Sequence, residues 1–372
     1  MKKYSFVIGT YNNKLQLKNS LIALNYLEGS MKYNFEVIVV DDGSNDNTKD
    51  YIKDLNVNYE LRYFYLERCA SSCRSRAKNY GIKMVEGEFV IFIDADIIVN
   101  KDYLIEVDKC YSIDNNIMLA GFRMMLPQSI SSEMVQDGSV FEKYSFAWER
   151  PEQCDFRYFI FNDLSYNASA IQFPFLYGHN FNLIIPKSWL DKVNGFDEEF
   201  KAYGLEDIEL CYRLWKCGLK FIISNKLEVL HQFHGSDEES RIAGVIENTR
   251  LFLQKHSNIF NVQEEKVYEL FKSLGHNYKY AQKPLPENIN RIVIDFINPN
   301  SLENLKETII LLTEVEDRDI VVNDYLENTD LDIWIQLIGK RASTPRYYPI
   351  SKKLPWSLMR RYSREDMGTL KS

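Results

Sequence analysis

The chain has 372 residues, 45% of them hydrophobic and 26% charged, with a formal net charge of −8. That length allows a large domain and a smaller one, and the acidic balance argues against a general nucleic-acid binder, whose affinity rests on a basic surface. The cysteines are scattered with no C-x-x-C pair, which leaves no zinc-site pattern and reads as reduced thiols.

The start, MKKYSFVIGTYNN, runs straight into a strand pattern without the apolar core or cleavage site of a signal peptide. No apolar run reaches the roughly 20 residues that span a bilayer. The expected location is therefore cytoplasmic, with peripheral contact at the inner face of the cell membrane as the variant to consider. Residues 4–9 and 36–40 are short, β-branched apolar runs, and leucines at 17, 21, 24 and 27 give a helical period over 14–28. A second helix fits 46–55, a strand 61–66, a third helix 71–86 and a buried strand 88–93. Such alternation predicts a parallel sheet covered by helices on both faces. Residues 111–175 are aromatic-rich with mixed periodicity and suit substrate loops. Strands follow at 181–185 and 219–223, helices at 187–193 and 206–217, and a charged helical stretch over 238–274.

Residues 1–236 form the expected catalytic domain, 237–280 a helical extension and 281–290 a linker with two prolines. Residues 291–345 read as a small α/β domain in the order strand, helix, strand, strand, the last strand being DIWIQLI. The segment 346–372 is a basic tail, either solvated or resting on anionic lipid through Trp356, Leu358 and Met359.

In open α/β sheets ligands bind beyond the carboxyl ends of the strands. Three polar clusters fall there: Thr10-Tyr11-Asn12, Asp41-Asp42-Gly43-Ser44 and Asp94-Ala95-Asp96. Asp94 and Asp96 lie two residues apart, so alternation returns their side chains to one side. Paired carboxylates repel unless a cation joins them, and hard oxygen ligands suit Mg²⁺ or Mn²⁺, which can bridge a diphosphate. The bland reading is a solvated turn. In the Asp41-Asp42 turn, Ser44 or Asn45 would cap the next helix while one aspartate faces a ligand base. Arg74, Arg76 and Lys78 either form a solvated basic face or meet phosphate oxygens. Glu206 and Asp207 open a helix, where the dipole favours negative charge, and Asp207 could also serve as a general base. His231 ends an apolar run and is a candidate third metal ligand; His234 is read as structural, and His179 as lining an acceptor side.

Together VIGTYNN, EVIVVDDGSNDNT, AKNYGIKMVEGEFVIFIDADI and VNGFDEEFKAYGLEDIELCYRL resemble the family 2 nucleotide-sugar glycosyltransferases of the GT-A fold, over about residues 3–235. The last segment is similar to that of chondroitin-polymerase-type enzymes. ELCYRLWKCG, VLHQFH and RSRAKN look like segments of the polypeptide N-acetylgalactosaminyltransferases.

The resemblance implies a UDP-sugar donor carrying a hexose or N-acetylhexosamine, a Mn²⁺ (or Mg²⁺) cofactor, and a glycan, lipid-linked or peptide acceptor in surface polysaccharide or glycoconjugate synthesis. It assigns Thr10, Tyr11 and Asp42 to the uridine, Arg74 and Arg76 to the nucleotide or diphosphate, and Asp94 with Ala95 to ribose or sugar. Asp96 and His231 become metal ligands. Asp207 becomes the base, with Glu206 orienting hydroxyls and His179 and Asn180 on the acceptor side. An aspartate at 207, where retaining relatives place asparagine, implies inversion. Gly178-His179 departs from the glycine pair that the resemblance expects.

A non-catalytic nucleotide-sugar-binding subunit is the competing class, against which the full set of Asp94, Asp96, Asp207 and His231 speaks. A nucleotidyltransferase would want a glycine- and lysine-rich phosphate loop after the first strand, and VIGTYNN supplies none.

Overall fold

A computed structural model describes residues 3–27, 34–144, 153–163, 168, 171–235, 238–256, 290–314, 318–326, 329–338 and 346–349. Strands β1 (Tyr4–Thr10), β2 (Phe35–Asp41), β3 (Glu60–Tyr65) and β4 (Phe89–Asp94) are parallel neighbours in the order β3-β2-β1-β4. Their side chains alternate between two cores. Val7, Ile38, Val40, Val90 and Phe92 face one, while Phe6, Ile8, Val37, Val39 and Ile91 face the other. A strand buried on both faces has to be apolar throughout, which is why these runs carry no polar alternation.

Helices α1 (Lys14–Leu24), α2 (Thr48–Lys53), α3 (Arg74–Met84) and α4 (Tyr103–Ile113) cover this half. Gly81 lets α3 settle on β1, because a Cβ there would come 2.5 Å from Val7 Cγ1. Ser44 does not cap α2. Asp46 accepts from the Thr48 amide instead, and the Ser44 hydroxyl accepts from the Asn12 amide, tying the β1 and β2 loops together.

The parallel order expected for this first half is present, and beyond it the sheet becomes mixed. It runs on through β7 (Asn182–Pro186), β6 (Ile117–Met125), β8 (Lys220–His231) and β5 (Ile97–Val99). β7 is antiparallel to β4 and β6, and β5 is antiparallel to β8. β8 joins two stretches that the sequence shows separately. Its pairing with β6 shifts register between Gly121 and Phe122, and Asn182 donates to the Leu227 carbonyl at the irregularity. The stretch 111–175 contributes β6, a central strand, rather than loops alone; residues 145–152 lie outside the described set. Helix α5 (Glu206–Lys216) packs Ile208, Cys211 and Tyr212 into the core, and α6 (Glu238–Lys255) follows β8.

Strands β9 (Asn290–Phe296), β10 (Arg318–Asp324) and β11 (Arg346–Pro349) form a second, parallel sheet in the order β11-β10-β9, with α7 (Leu302–Thr313) and α8 (Thr329–Ile338) between them. The DIWIQLI segment expected as a strand lies in α8. Leu331 and Ile335 pack into this unit's core while Ile333 joins the core of the large sheet. A helix buried on two sides loses its single apolar stripe, and the remaining alternation imitates a strand. The Gln336 amide holds both backbone groups of Ile223, at 3.1 and 2.8 Å, fastening α8 to β8. The expected linker (except Asn290), the extension beyond residue 256 and the tail beyond 349 lie outside the described residues. Among the described residues no helix is long and apolar enough to cross a membrane.

Candidate active site

Thr10, Asp41 and Asp94 end β1, β2 and β4, so three parallel strands deliver polar groups to the carboxyl rim. Thr10 is buried and Tyr11 exposed, with the Arg68 guanidinium 4.1 Å from the Tyr11 ring centre. The two aspartates that follow β2 divide their work. Asp41 accepts from the Ser44 amide at 2.7 Å and from the Tyr63 hydroxyl, which makes it the turn-former. Asp42 is paired with Arg68 at 2.8 Å and Arg76 at 3.0 Å. Burial raises the Asp42 carboxyl in spite of Ser72 and those two arginines. Arg76 also reaches Ser72 and the Glu67 carbonyl, whereas Arg74 is exposed and sits 4.7 Å from the Tyr203 ring. Lys78 is not on a solvated face; it is buried 3.6 Å from Glu206.

Past β4 the backbone turns so that Ala95 and Asp96 are buried and Asp94 half-buried. Ser20 of α1 donates to the Ala95 carbonyl, and the Gln232 amide donates to the Asp96 carbonyl. This pinning sets Asp96 against the end of β8. Its Oδ2 lies 3.0 Å from His234 Nε2 and 3.6 Å from His231 Nε2, and one atom from each of the three residues falls within 4.8 Å of the others. Burial works to raise the Asp96 carboxyl, but the hydrogen bond from His234 and the charges of His231, His234 and Arg123 carry it below its ordinary value. His234 moves up through its hydrogen bond to Asp96, and His231 moves down through burial. Asp96 Oδ1 is buried with no hydrogen-bond partner. One carboxylate and two imidazoles, with an oxygen left over, fit a divalent first-row metal ion. His234 is the residue that sequence reasoning set aside. Its signal was the i, i+3 spacing from His231 at a strand end.

The second group centres on the start of α5. Gly204 and Leu205 both have positive φ, +85° and +69°, and for a buried leucine that is a strained backbone. The turn aims Glu206 and Asp207 at the loop before β7. Asp207 Oδ2 accepts from the Asn180 amide at 3.2 Å and lies 3.4 Å from His179 Nδ1, while Oδ1 accepts from the Ile208 amide at 2.8 Å. Burial opposes ionisation here, yet the bond and charge of His179, with Lys78 and the Asn180 amide, hold the carboxyl at about 2. Glu206 is buried and accepts from the Asn180 side chain at 3.3 Å. His179, Asn180, Glu206, Asp207 and Lys78 therefore meet in one cluster, while Asp96, His231 and His234 meet in another.

A Rossmann-like parallel half continued by a mixed sheet, with acidic strand ends and a carboxylate–histidine cluster past β4, defines the GT-A glycosyltransferases. Residues 5–124 match the model of glycosyl transferase family 2, and residues 164–235 match the model described as the N-terminal domain of galactosyltransferase. The chain thus carries a segment similar to family 2 of the glycosyltransferases, followed by a galactosyltransferase-like segment.

It is 26% identical over 260 residues to validoxylamine A glucosyltransferase of Streptomyces hygroscopicus subsp. jinggangensis, covering 68% of this chain and 61% of that one. It is 27% identical over 284 residues to chondroitin synthase of Escherichia coli, covering 71% and 40%. The chain thus matches less than two thirds of the length of either relative. The structure of residues 1–349 of S. aureus TarS in complex with UDP-GlcNAc shares the fold, with a TM-score of 0.51 at 17% identity over 75% of this chain and 73% of that one.

Proposed function

We propose that the chain transfers a hexose or N-acetylhexosamine from a UDP-sugar to a hydroxyl of a glycan acceptor, with inversion at the anomeric carbon. The observation that carries this reading is the Asp96–His231–His234 cluster at the carboxyl end of β4, where a donor diphosphate would lie. These three residues would hold the metal, and two imidazoles favour Mn²⁺ over Mg²⁺, which prefers oxygen. A bound ion there supplies charge for the departing diphosphate. Thr10, Tyr11 and Asp42 face the uridine in this reading, Arg74 and Arg76 the nucleotide or diphosphate, and Asp94 and Ala95 the ribose or donor sugar. The UDP-GlcNAc in the TarS structure supports UDP as the nucleotide. Chondroitin synthase as a relative supports a glycan acceptor.

Asp207 takes the acceptor proton. Its depressed carboxyl is ionised throughout the neutral range, as a general base must be. As the acceptor oxygen bonds to the anomeric carbon, the bond to the diphosphate breaks on the opposite face. Glu206, fixed by Asn180 and Lys78, orients hydroxyls beside it. With a panel of UDP-sugars and Mn²⁺, wild-type protein should release UDP. Asp207→Asn should lose roughly a thousandfold or more of that turnover, while UDP affinity measured by calorimetry stays within about twofold. Undiminished turnover in Asp207→Asn would remove the base assignment, and a retained anomeric configuration by proton NMR would remove inversion.

A further inference from the structure

The geometry points to His179 as a positioning residue that aims and holds the Asp207 carboxylate, an inference that rests on the reading of Asp207 as the base. His179 Nδ1 lies 3.4 Å from Asp207 Oδ2. Because Oδ2 can only accept there, Nδ1 carries the proton that faces it. On the far side of the ring Nε2 is buried with no hydrogen-bond partner.

The ring itself is locked. It stacks on Phe181 at 5.8 Å with 12° between the planes, and the Phe156 ring meets it edge-on at 6.1 Å. Phe181 is in turn fixed by two guanidinium groups, Arg123 at 4.1 Å and Arg157 at 4.7 Å. Arg157 is fully buried and bonded to Asp155, the Tyr177 carbonyl and the Gly121 carbonyl, so this end of the stack cannot swing. The backbone is held as tightly. Cys211 Sγ donates to the Gly178 carbonyl, and a Cβ on Gly178 would come 2.4 Å from that sulfur. A chain of rigid contacts thus runs from β6 through Arg157, Phe181 and His179 to one oxygen of Asp207.

The charged and titratable groups around Asp207 are His179 from the loop before β7, Lys78 from α3, and Glu206 and Cys211 from its own helix. His179 is the largest of the favourable influences on the depressed carboxyl. Removing it should let the Asp207 pKa rise and the carboxylate turn away from its line of attack.

The test compares wild type, His179→Ala and His179→Asn, whose side-chain amide can still donate from nearly the same place. UDP release from the same UDP-sugar panel is followed from pH 2.5 to 8 at saturating Mn²⁺, so that an acid limb rising from the low wild-type value comes into view. His179→Ala should lose about tenfold in kcat with donor KM unchanged, and its acid limb should move to higher pH. His179→Asn should recover most of both. Melting curves and UDP affinity matching wild type confirm that each variant is folded. An unmoved acid limb in His179→Ala, or His179→Asn behaving like His179→Ala, would overturn the positioning role while leaving Asp207 as the base. A wild type that releases UDP from no donor would take down the proposed reaction, and this role with it.

Discussion

Asp96 and Asp207 each face imidazole nitrogens in a protein with only 5 histidines, and the two groups differ in what they leave unfilled. Asp207 accepts from two backbone amides as well as facing His179, so both of its oxygens are occupied. Asp96 has two histidines on one oxygen and nothing on the other. An oxygen buried without a partner costs about 1–3 kcal/mol, and a cation removes that cost. Donors on both oxygens fix the direction of the Asp207 carboxylate, and the lone pair left on Oδ1 can still take a proton. In the proposed reading the same two residue types make a metal site in one place and a proton acceptor in the other, and the backbone contacts separate the two.

The widest test of this contrast is to break the metal group at its centre. Asp96→Asn should abolish measurable Mn²⁺ binding by calorimetry and cut UDP release by more than about a hundredfold. The fold should persist, because the substitution is isosteric and Gln232 and Ser20 hold the neighbouring backbone rather than the side chain. Mn²⁺ affinity equal to wild type would show that the cluster is an ordinary buried ion pair.

His234 gives a narrower test. Its ring is half-exposed and it contributes one of the two imidazoles, so His234→Ala should weaken Mn²⁺ binding about 10- to 100-fold while excess metal restores most turnover. His231→Ala, at the buried end of β8, should not be rescued this way. Equal behaviour of the two variants would mean that His234 is a bystander to the ion.

These tests also mark where the sequence could be read and where it could not. The apolar runs of β1, β2 and β4 were legible because burial on both faces leaves them almost no polar positions, the buried Ser5–Glu36 pair being the exception. Their acidic ends were legible because polar residues abruptly follow apolar ones. His234 was not: a histidine three residues beyond a strand looks structural until the Gln232 amide bonds to the Asp96 carbonyl and brings the loop back over the carboxylate. Lys78 looked like one of three surface cations, and only the fold brings it within 3.6 Å of Glu206. Helix α8 was misread because its two apolar sides serve two different cores. In each of these cases the deciding contact spans more than a hundred residues or joins two separate cores, and no local pattern records it.

A third inward-facing carboxylate, Glu228, sharpens the contrast from the other side, since it has no histidine at all. It lies on β8 just past the irregularity, accepts from the Tyr158 hydroxyl, and burial alone pushes its carboxyl up to about 8. In the unfolded chain the group loses its proton near the ordinary glutamate value of 4.5. Between those values the folded state retains a proton that the unfolded state has released, so stability falls as pH rises through this window and levels off above it. Glu228→Gln keeps an acceptor for Tyr158 and removes the titration. It should raise the melting temperature by a few degrees at pH 8.5, on the order of 2 kcal/mol, and change it little at pH 4.5. A gain of the same size at both values would place the effect in packing. A loss at pH 8.5 would mean that the Glu228 carboxylate is stabilised there as Asp96 and Asp207 are.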